Sequence, residues 1–212
     1  MEYFDISPYA PRPDLVHQLV TALKAGELVA CPTDTTFGVF ASLEAHDAPD
    51  KLRDLRMRMA GSPDAVAAKS NKPLALLFSD LTMLAEFAVM SALAFKVSKR
   101  LLPGPYTIVL PATREVPKRL QTKRRHIGAR IPDSDLVRQI VEGLGCPLLS
   151  TTAKTPDGEL VHDPSEIAEH WFREVNKVVD TGGFYAEPST VIAVDEKGVE
   201  VFREGKGSLE GL

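Results

Sequence analysis

Short loops rich in hydroxyl groups follow apolar, strand-like runs at two points in the sequence. Residues 31–38 read Cys-Pro-Thr-Asp-Thr-Thr-Phe-Gly, ending in a glycine that would let a ligand approach the backbone closely. Residues 148–154 read Leu-Leu-Ser-Thr-Thr-Ala-Lys, so hydroxyls and a lysine follow an apolar run. Such loops suit a small zwitterion or a phosphate, and a hydrogen-bonded turn is the alternative. Because ligands of open α/β sheets bind at strand ends, both loops are candidate binding segments.

Basic side chains lie at two further boundaries. Arg56 and Arg58 are close to the end of a predicted helix, and Lys72 precedes a predicted strand. Guanidinium forks and an ammonium group are what a polyphosphate needs. A solvated basic surface is the alternative interpretation.

Polar residues also flank three other predicted strands. Thr107 follows Pro103-Gly104-Pro105, in which two prolines around a glycine predict a rigid corner. Ser189 precedes one of the last strands, and Arg203 follows the final one. These residues add to the polar groups at strand ends.

The formal net charge of -4 hides an uneven distribution. Residues 96–130 contain ten Lys and Arg but one acidic residue, Glu115, which gives this segment a charge of +9. The remainder of the chain is strongly acidic. A basic block of this kind indicates a nucleic-acid surface, or else a solvated face and hairpin, since no aromatic residues interleave with the charges.

Several classes of protein are excluded by composition and motifs. With 44% hydrophobic residues the chain is not intrinsically disordered. It lacks a Walker A loop, a G-x-G-x-x-G segment and a nucleophile elbow, and its five histidines and two cysteines lack metal-ligand spacing. We therefore predict no metal site in the protein and two buried, reduced cysteines. Neither a signal peptide nor a spanning segment is evident, so we expect a cytoplasmic protein with no membrane partner.

Strand-like and helix-like segments alternate, which predicts an α/β fold with a mixed sheet covered by helices. Residues 1–212 contain no repeat or linker, so a single domain is expected. Asp14 is a candidate helix N-cap and Gly26 a helix stop. The predicted helices are 15–23, 49–58, one or two within 81–102, 136–144 and 164–172. The predicted strands are 2–6, 28–31, 73–78, 106–110, 127–131, 147–151, 178–180, 190–194 and 199–202.

The motifs, taken in order, resemble those of the YrdC-like family, the L-threonylcarbamoyladenylate synthases of tRNA modification and their relatives. They extend over about residues 28–205, and the ordered set is far more specific than any single motif. Residues 56–58, 115–120 and 123–128 resemble the YciO branch in particular. The matching segments are 32–38, 72–74, 103–107, 130–132, 149–152, 189–191 and 203–205.

The resemblance implies a twisted mixed sheet flanked by helices around a positively charged cavity. It implies that ATP, bicarbonate and L-threonine, or another small amine, give a carbamoyl-adenylate and pyrophosphate, with Mg²⁺ as helper. It also implies a role for each matching residue. Arg58, Lys72 and Thr152 would be catalytic; Thr33, Thr35, Thr152 and Ser189 would bind the amino acid; Arg56, Arg58, Lys72, Thr107, Ser150, Lys154 and Arg203 would bind the nucleotide. Arg56 and Arg130 would add positive potential to the cavity.

The family is also associated with double-stranded RNA or tRNA, which the basic block would contact. The predicted RNA-binding residues are Lys118, Arg119, Lys123, Arg124, Arg125 and Arg130. Three hypotheses follow: a carbamoyl-adenylate synthase, an RNA-binding protein without synthase turnover, and a nucleotide-binding relative without turnover.

Two departures from the family pattern bear on the choice. The synthases read Ser-Ala-Asn where this chain has Thr152-Ala153-Lys154, so an amide that donates and accepts hydrogen bonds becomes an amine that only donates. Residues 59–71 expand a link that is short in the family. There Lys69 could replace a missing basic group, or the insertion could act as a lid.

Overall fold

A computed structural model describes residues 1–5, 11–64, 74–117, 120, 125–183 and 185–210. Its strands form one ten-stranded sheet in the order β1-β8-β2-β3-β7-β4-β6-β5-β9-β10. The strands are β1 (Glu2–Asp5), β2 (Val29–Pro32), β3 (Phe37–Ser42), β4 (Ala75–Leu77), β5 (Tyr106–Pro111), β6 (His126–Arg130), β7 (Leu148–Thr152), β8 (Lys177–Asp180), β9 (Thr190–Asp195) and β10 (Gly198–Arg203). Parallel and antiparallel pairs both occur, which confirms the predicted mixed sheet.

Helices within the described residues flank this sheet. They are α1 (Pro13–Lys24), α2 (Ala48–Arg58), α3 (Leu81–Phe87), α4 (Ala92–Leu101), α5 (Asp135–Leu144) and α6 (Pro164–Trp171). Helix α1 packs against α5, α2 against β3 and β7, and α4 against β9. The predicted α/β class is thus confirmed, while the assignment of residues 1–212 to one domain stays a prediction.

Local sequence signals account for most helix boundaries. Ser134 caps α5 by accepting from the Val137 N–H, and Gly145 ends it at a φ of 79°. Asp163 and Glu166 form a capping box at the start of α6. The prediction for Asp14 is wrong: α1 starts at Pro13 without a side-chain cap, because proline presets the helical φ and leaves Asp14 in the first turn.

Strand β3 is the element that the sequence pattern missed. Residues 31–38 were expected to be a loop, but their last two residues begin a strand that pairs with β2 and β7. All six residues of β3 are buried, so it lacks the alternation of a half-exposed strand. Gly38 has a packing role here, because a Cβ at this position would collide with the buried Phe40 ring.

Candidate functional site

The loop between β2 and β3 is a turn organised by Thr33. Its hydroxyl oxygen accepts hydrogen bonds from the backbone N–H groups of Thr35 and Thr36, both at 3.2 Å, and donates to the Thr36 carbonyl at 2.8 Å. Thr35 is buried, and its carbonyl accepts from the Glu187 N–H at 2.9 Å. The Thr33 hydroxyl is therefore engaged in shaping the turn.

Asp34 projects from this turn into an ion pair with Arg130 at the end of β6. Only 9% of the Arg130 side chain and 13% of the Asp34 side chain are exposed. Burial lowers the pKa of the Arg130 guanidinium, and Asp34 opposes that shift by stabilising the charged form. Arginine nevertheless stays protonated, so the pair is a fixed charge couple beneath the turn.

A second network joins β5, β9 and β10. The Thr107 and Ser189 hydroxyls lie 2.9 Å apart. The Arg203 guanidinium donates to the Ser189 carbonyl from Nε at 3.1 Å and from Nη2 at 2.7 Å. Arg203 also lowers the pKa of Arg130 by charge repulsion, to a smaller extent than burial does.

The segment after β10 ties the two networks together. The Lys206 ammonium donates to the Asp34 carbonyl at 2.6 Å, and its backbone N–H donates to the Pro188 carbonyl at 2.9 Å. Gly205 permits this course, since a Cβ there would collide with the Pro188 carbonyl. Sequence reasoning missed Lys206, which lies just beyond the last matching segment, residues 203–205.

Strand register brings the predicted residues of three strands onto one face of the sheet. Ala75 pairs with both Ser150 and Gly128, and Gly128 pairs with Val109. Cross-strand partners share a face and alternate residues return to it, so Thr107, Arg130, Ser150 and Thr152 all belong to this face.

Two of the three hydroxyls on β7, those of Ser150 and Thr152, lie on this face and are open to a ligand. Ser150 and Thr152 are partly exposed, and in the described part of the chain neither side chain has a hydrogen-bond partner. Lys154 differs, because its ammonium donates to the Gly158 carbonyl within the following loop. That contact turns Lys154 toward its own loop.

The basic residues at the end of α2 lie in contrasting environments. Arg56 is 8% exposed, and burial lowers the pKa of its guanidinium, as does the nearby charge of Arg53. The Arg58 side chain is 56% exposed and pairs with Glu174 at 2.5 Å. Its guanidinium also lies 5.4 Å from the centre of the Trp171 ring.

Several predicted residues lie outside the described ranges. These are Lys69, Lys72, Lys118, Arg119, Lys123 and Arg124. Arg125, also predicted to bind RNA, is exposed and has a φ of 55°. Arg130, from the same set, is buried and paired with Asp34, and its predicted role in RNA binding stays a prediction.

Two other expectations concern metals and membranes. Within the described ranges, no three His, Cys, Asp or Glu side chains come together as a metal site. None of the helices in those ranges is both long and apolar enough to cross a bilayer. Cys31 and Cys146 are buried free thiols, as predicted, and burial raises the pKa of each.

The fold and site together define a mixed α/β protein with arginines and hydroxyls gathered at strand ends. The Sua5/YciO/YrdC family model, described as "Telomere recombination", matches residues 21–205, and the chain belongs to this family. It is 30% identical over 211 residues to the uncharacterized protein YciO of Escherichia coli, covering 99% of this chain and 98% of that one. The crystal structure of that protein has a TM-score of 0.88, with the same coverage.

Two further relatives carry names that bear on activity. A putative threonylcarbamoyl-AMP synthase of Methanocaldococcus jannaschii is 30% identical over 188 residues, 88% of this chain and 84% of the relative. The crystal structure of Sua5 from P. abyssi complexed with L-threonine shares the fold, with a TM-score of 0.83 and 22% identity. That match covers 97% of this chain and 58% of the longer Sua5 chain.

Proposed function

We propose that the polar face of the sheet binds ATP and an amino-acid carbamate, and that the protein is a threonylcarbamoyl-AMP synthase-type enzyme. The observation that carries this proposal is the convergence of Arg130, Arg203, Thr107 and Ser189 from four strands or strand ends. Such a set of positive charges and hydroxyls suits a polyphosphate beside a small polar substrate. The synthase relatives described above support the choice of reaction.

The reaction has two steps. The amine nitrogen of threonine bonds to the carbon of bicarbonate, and a hydroxide and an amine proton leave together as water. A carbamate oxygen then attacks the α-phosphorus of ATP, and the bond to the β-phosphate oxygen breaks to release pyrophosphate. Neither step needs a protein nucleophile, so the protein's task is to orient two anions and offset their charge.

The residues divide this task according to their surroundings. Arg130 is locked by burial in its ion pair with Asp34 and holds the turn before β3 in place, while Arg203 orients Ser189 and supplies a positive charge. The unpartnered hydroxyls of Ser150 and Thr152 can donate to substrate oxygens. Mg²⁺ would be held mainly through the substrate phosphates and would offset part of their negative charge.

Product formation tests the proposal directly. The purified protein, ATP, Mg²⁺ and bicarbonate are incubated with each member of an amino-acid panel, and pyrophosphate and the adenylate are measured. We expect both products with L-threonine, a loss of activity in Arg203→Ala, and normal activity in Arg114→Ala, which removes an exposed arginine elsewhere. ATP binding without product from any amine would favour a nucleotide-binding relative without turnover.

A further inference from the structure

The ion pair between Arg58 and Glu174 connects the end of α2 to the turn after α6. Arg58 Nη1 donates to Glu174 Oε1 at 2.5 Å, although the two residues are 116 positions apart in the sequence. The guanidinium also lies over Trp171, which is itself buried and donates from Nε1 to the Lys154 carbonyl at 2.7 Å. Arg58 is thus held beside the loop that follows β7.

Glu174 sits on a firmly anchored turn. Its backbone N–H donates to the Trp171 carbonyl at 3.1 Å, and Asn176 exchanges hydrogen bonds with Leu28, each at 2.9 Å. The Glu174 side chain is 22% exposed, whereas the Arg58 side chain is 56% exposed. The acidic partner is therefore the more fixed of the two, and the arginine is the one with freedom to reorient.

We infer that the Glu174 carboxylate competes with phosphate groups for Arg58 and so weakens the binding of polyphosphates; this inference rests on the proposed function. A carboxylate that already neutralises Arg58 cancels the positive charge available to an incoming phosphate. Arg58 must share or exchange its partner when a triphosphate binds. An exposed ion pair contributes little stability, so a highly charged ligand can displace it.

The effect should grow with the number of phosphates on the ligand. Replacement of Glu174 by a phosphate as the ion-pair partner of Arg58 is favourable for ATP, whose terminal phosphates carry most of its charge. It is much less favourable for AMP. Glu174→Gln keeps a neutral acceptor for Arg58 but removes the competing charge. From the usual worth of exposed ion pairs, we expect this variant to bind ATP about two- to five-fold more tightly.

The experiment measures the Kd of ATP, ADP and AMP by calorimetry for the wild type, Glu174→Gln, Arg58→Ala and the double variant. Glu169→Gln is the matched control, since it removes an exposed carboxylate from the same helical region. We expect tighter ATP binding in Glu174→Gln, little change for AMP, and no effect of Glu174→Gln once Arg58 is alanine. Thermal unfolding confirms that each variant is folded.

The outcomes separate the two proposals. If the wild type binds ATP but Glu174→Gln binds it equally well or more weakly, the inference about Glu174 is overturned and the proposed function stands. The inference also falls if Glu174→Gln has the same effect in the Arg58→Ala background, because the carboxylate would then act without Arg58. Failure of the wild type to bind ATP overturns both.

Discussion

Arg130 and Arg58 are two arginines that the fold holds in opposite ways. Arg130 lies in a buried pair with Asp34, under a turn that is tied to the segment after β10. Arg58 lies in an exposed pair with Glu174 at the end of a helix. Arg130 is therefore fixed to its partner, whereas Arg58 can change partners when a ligand arrives.

The strongest test of this contrast removes Arg130. In Arg130→Ala the Asp34 carboxylate stays buried without its counter-ion, so we expect the free energy of unfolding to fall by about 3 kcal/mol. For a domain of this size the melting temperature should fall by about 6–12 °C. Urea and thermal unfolding measure the change.

Arg138→Ala is the control, since it breaks a more exposed pair with Asp135. Equal losses of unfolding free energy in Arg130→Ala and Arg138→Ala would contradict a larger contribution of the buried pair to stability. Replacing both partners, as Asp34→Asn with Arg130→Met, should restore part of the stability, because no buried charge is then left alone.

A second prediction concerns Gly205, in the segment after β10 that connects the two hydrogen-bond networks. In Gly205→Ala the new methyl group meets the Pro188 carbonyl, which belongs to the backbone and cannot rotate away. We expect a loss of about 1–3 kcal/mol in chemical denaturation, typical of overpacking. The neighbouring exposed Glu204 provides the control, and a Glu204→Ala variant as unstable as Gly205→Ala would argue against a steric cause.

Arg203 is intermediate between Arg130 and Arg58, because it is exposed but donates well-formed hydrogen bonds to Ser189. Arg203→Ala removes charge-assisted hydrogen bonds, so a loss of about 1.5 kcal/mol in unfolding free energy is expected. Arg203→Lys keeps the charge but not the planar guanidinium, and should recover less than half of the lost unfolding free energy. Full recovery by lysine would mean that charge alone matters at this position.

The smallest effect on stability is expected at Arg58. Its ion pair is exposed and its stacking on Trp171 is a single cation–π contact, so Arg58→Ala should cost below about 1 kcal/mol. Urea unfolding tests this. A loss of unfolding free energy close to that of Arg130→Ala would show that the Arg58–Glu174 pair stabilises the fold. Arg58 would then not be available to change partners.

Much of the fold could be predicted from local patterns. The helix at 136–144 followed by Gly145 appears as α5 with a left-handed glycine after it, since capping and apolar spacing are local properties. Strand β3 escaped prediction because its burial is not a local property: α1 and α2 pack against it, and β2 and β7 flank it in the sheet. The threonines before it are typical of a loop.

By itself the sequence determined the order of helices and strands, the motifs at their ends and the membership of the family that those motifs indicated. Only the tertiary structure decided how the charges of Arg130 and Arg58 are partnered. Asp34 meets Arg130 across 96 residues, and Arg58 meets Glu174 across 116. Strand order and burial set such contacts, and neither can be read from spacing along the chain. That is why Arg130 became part of a fixed ion pair and Arg58 part of an exchangeable one.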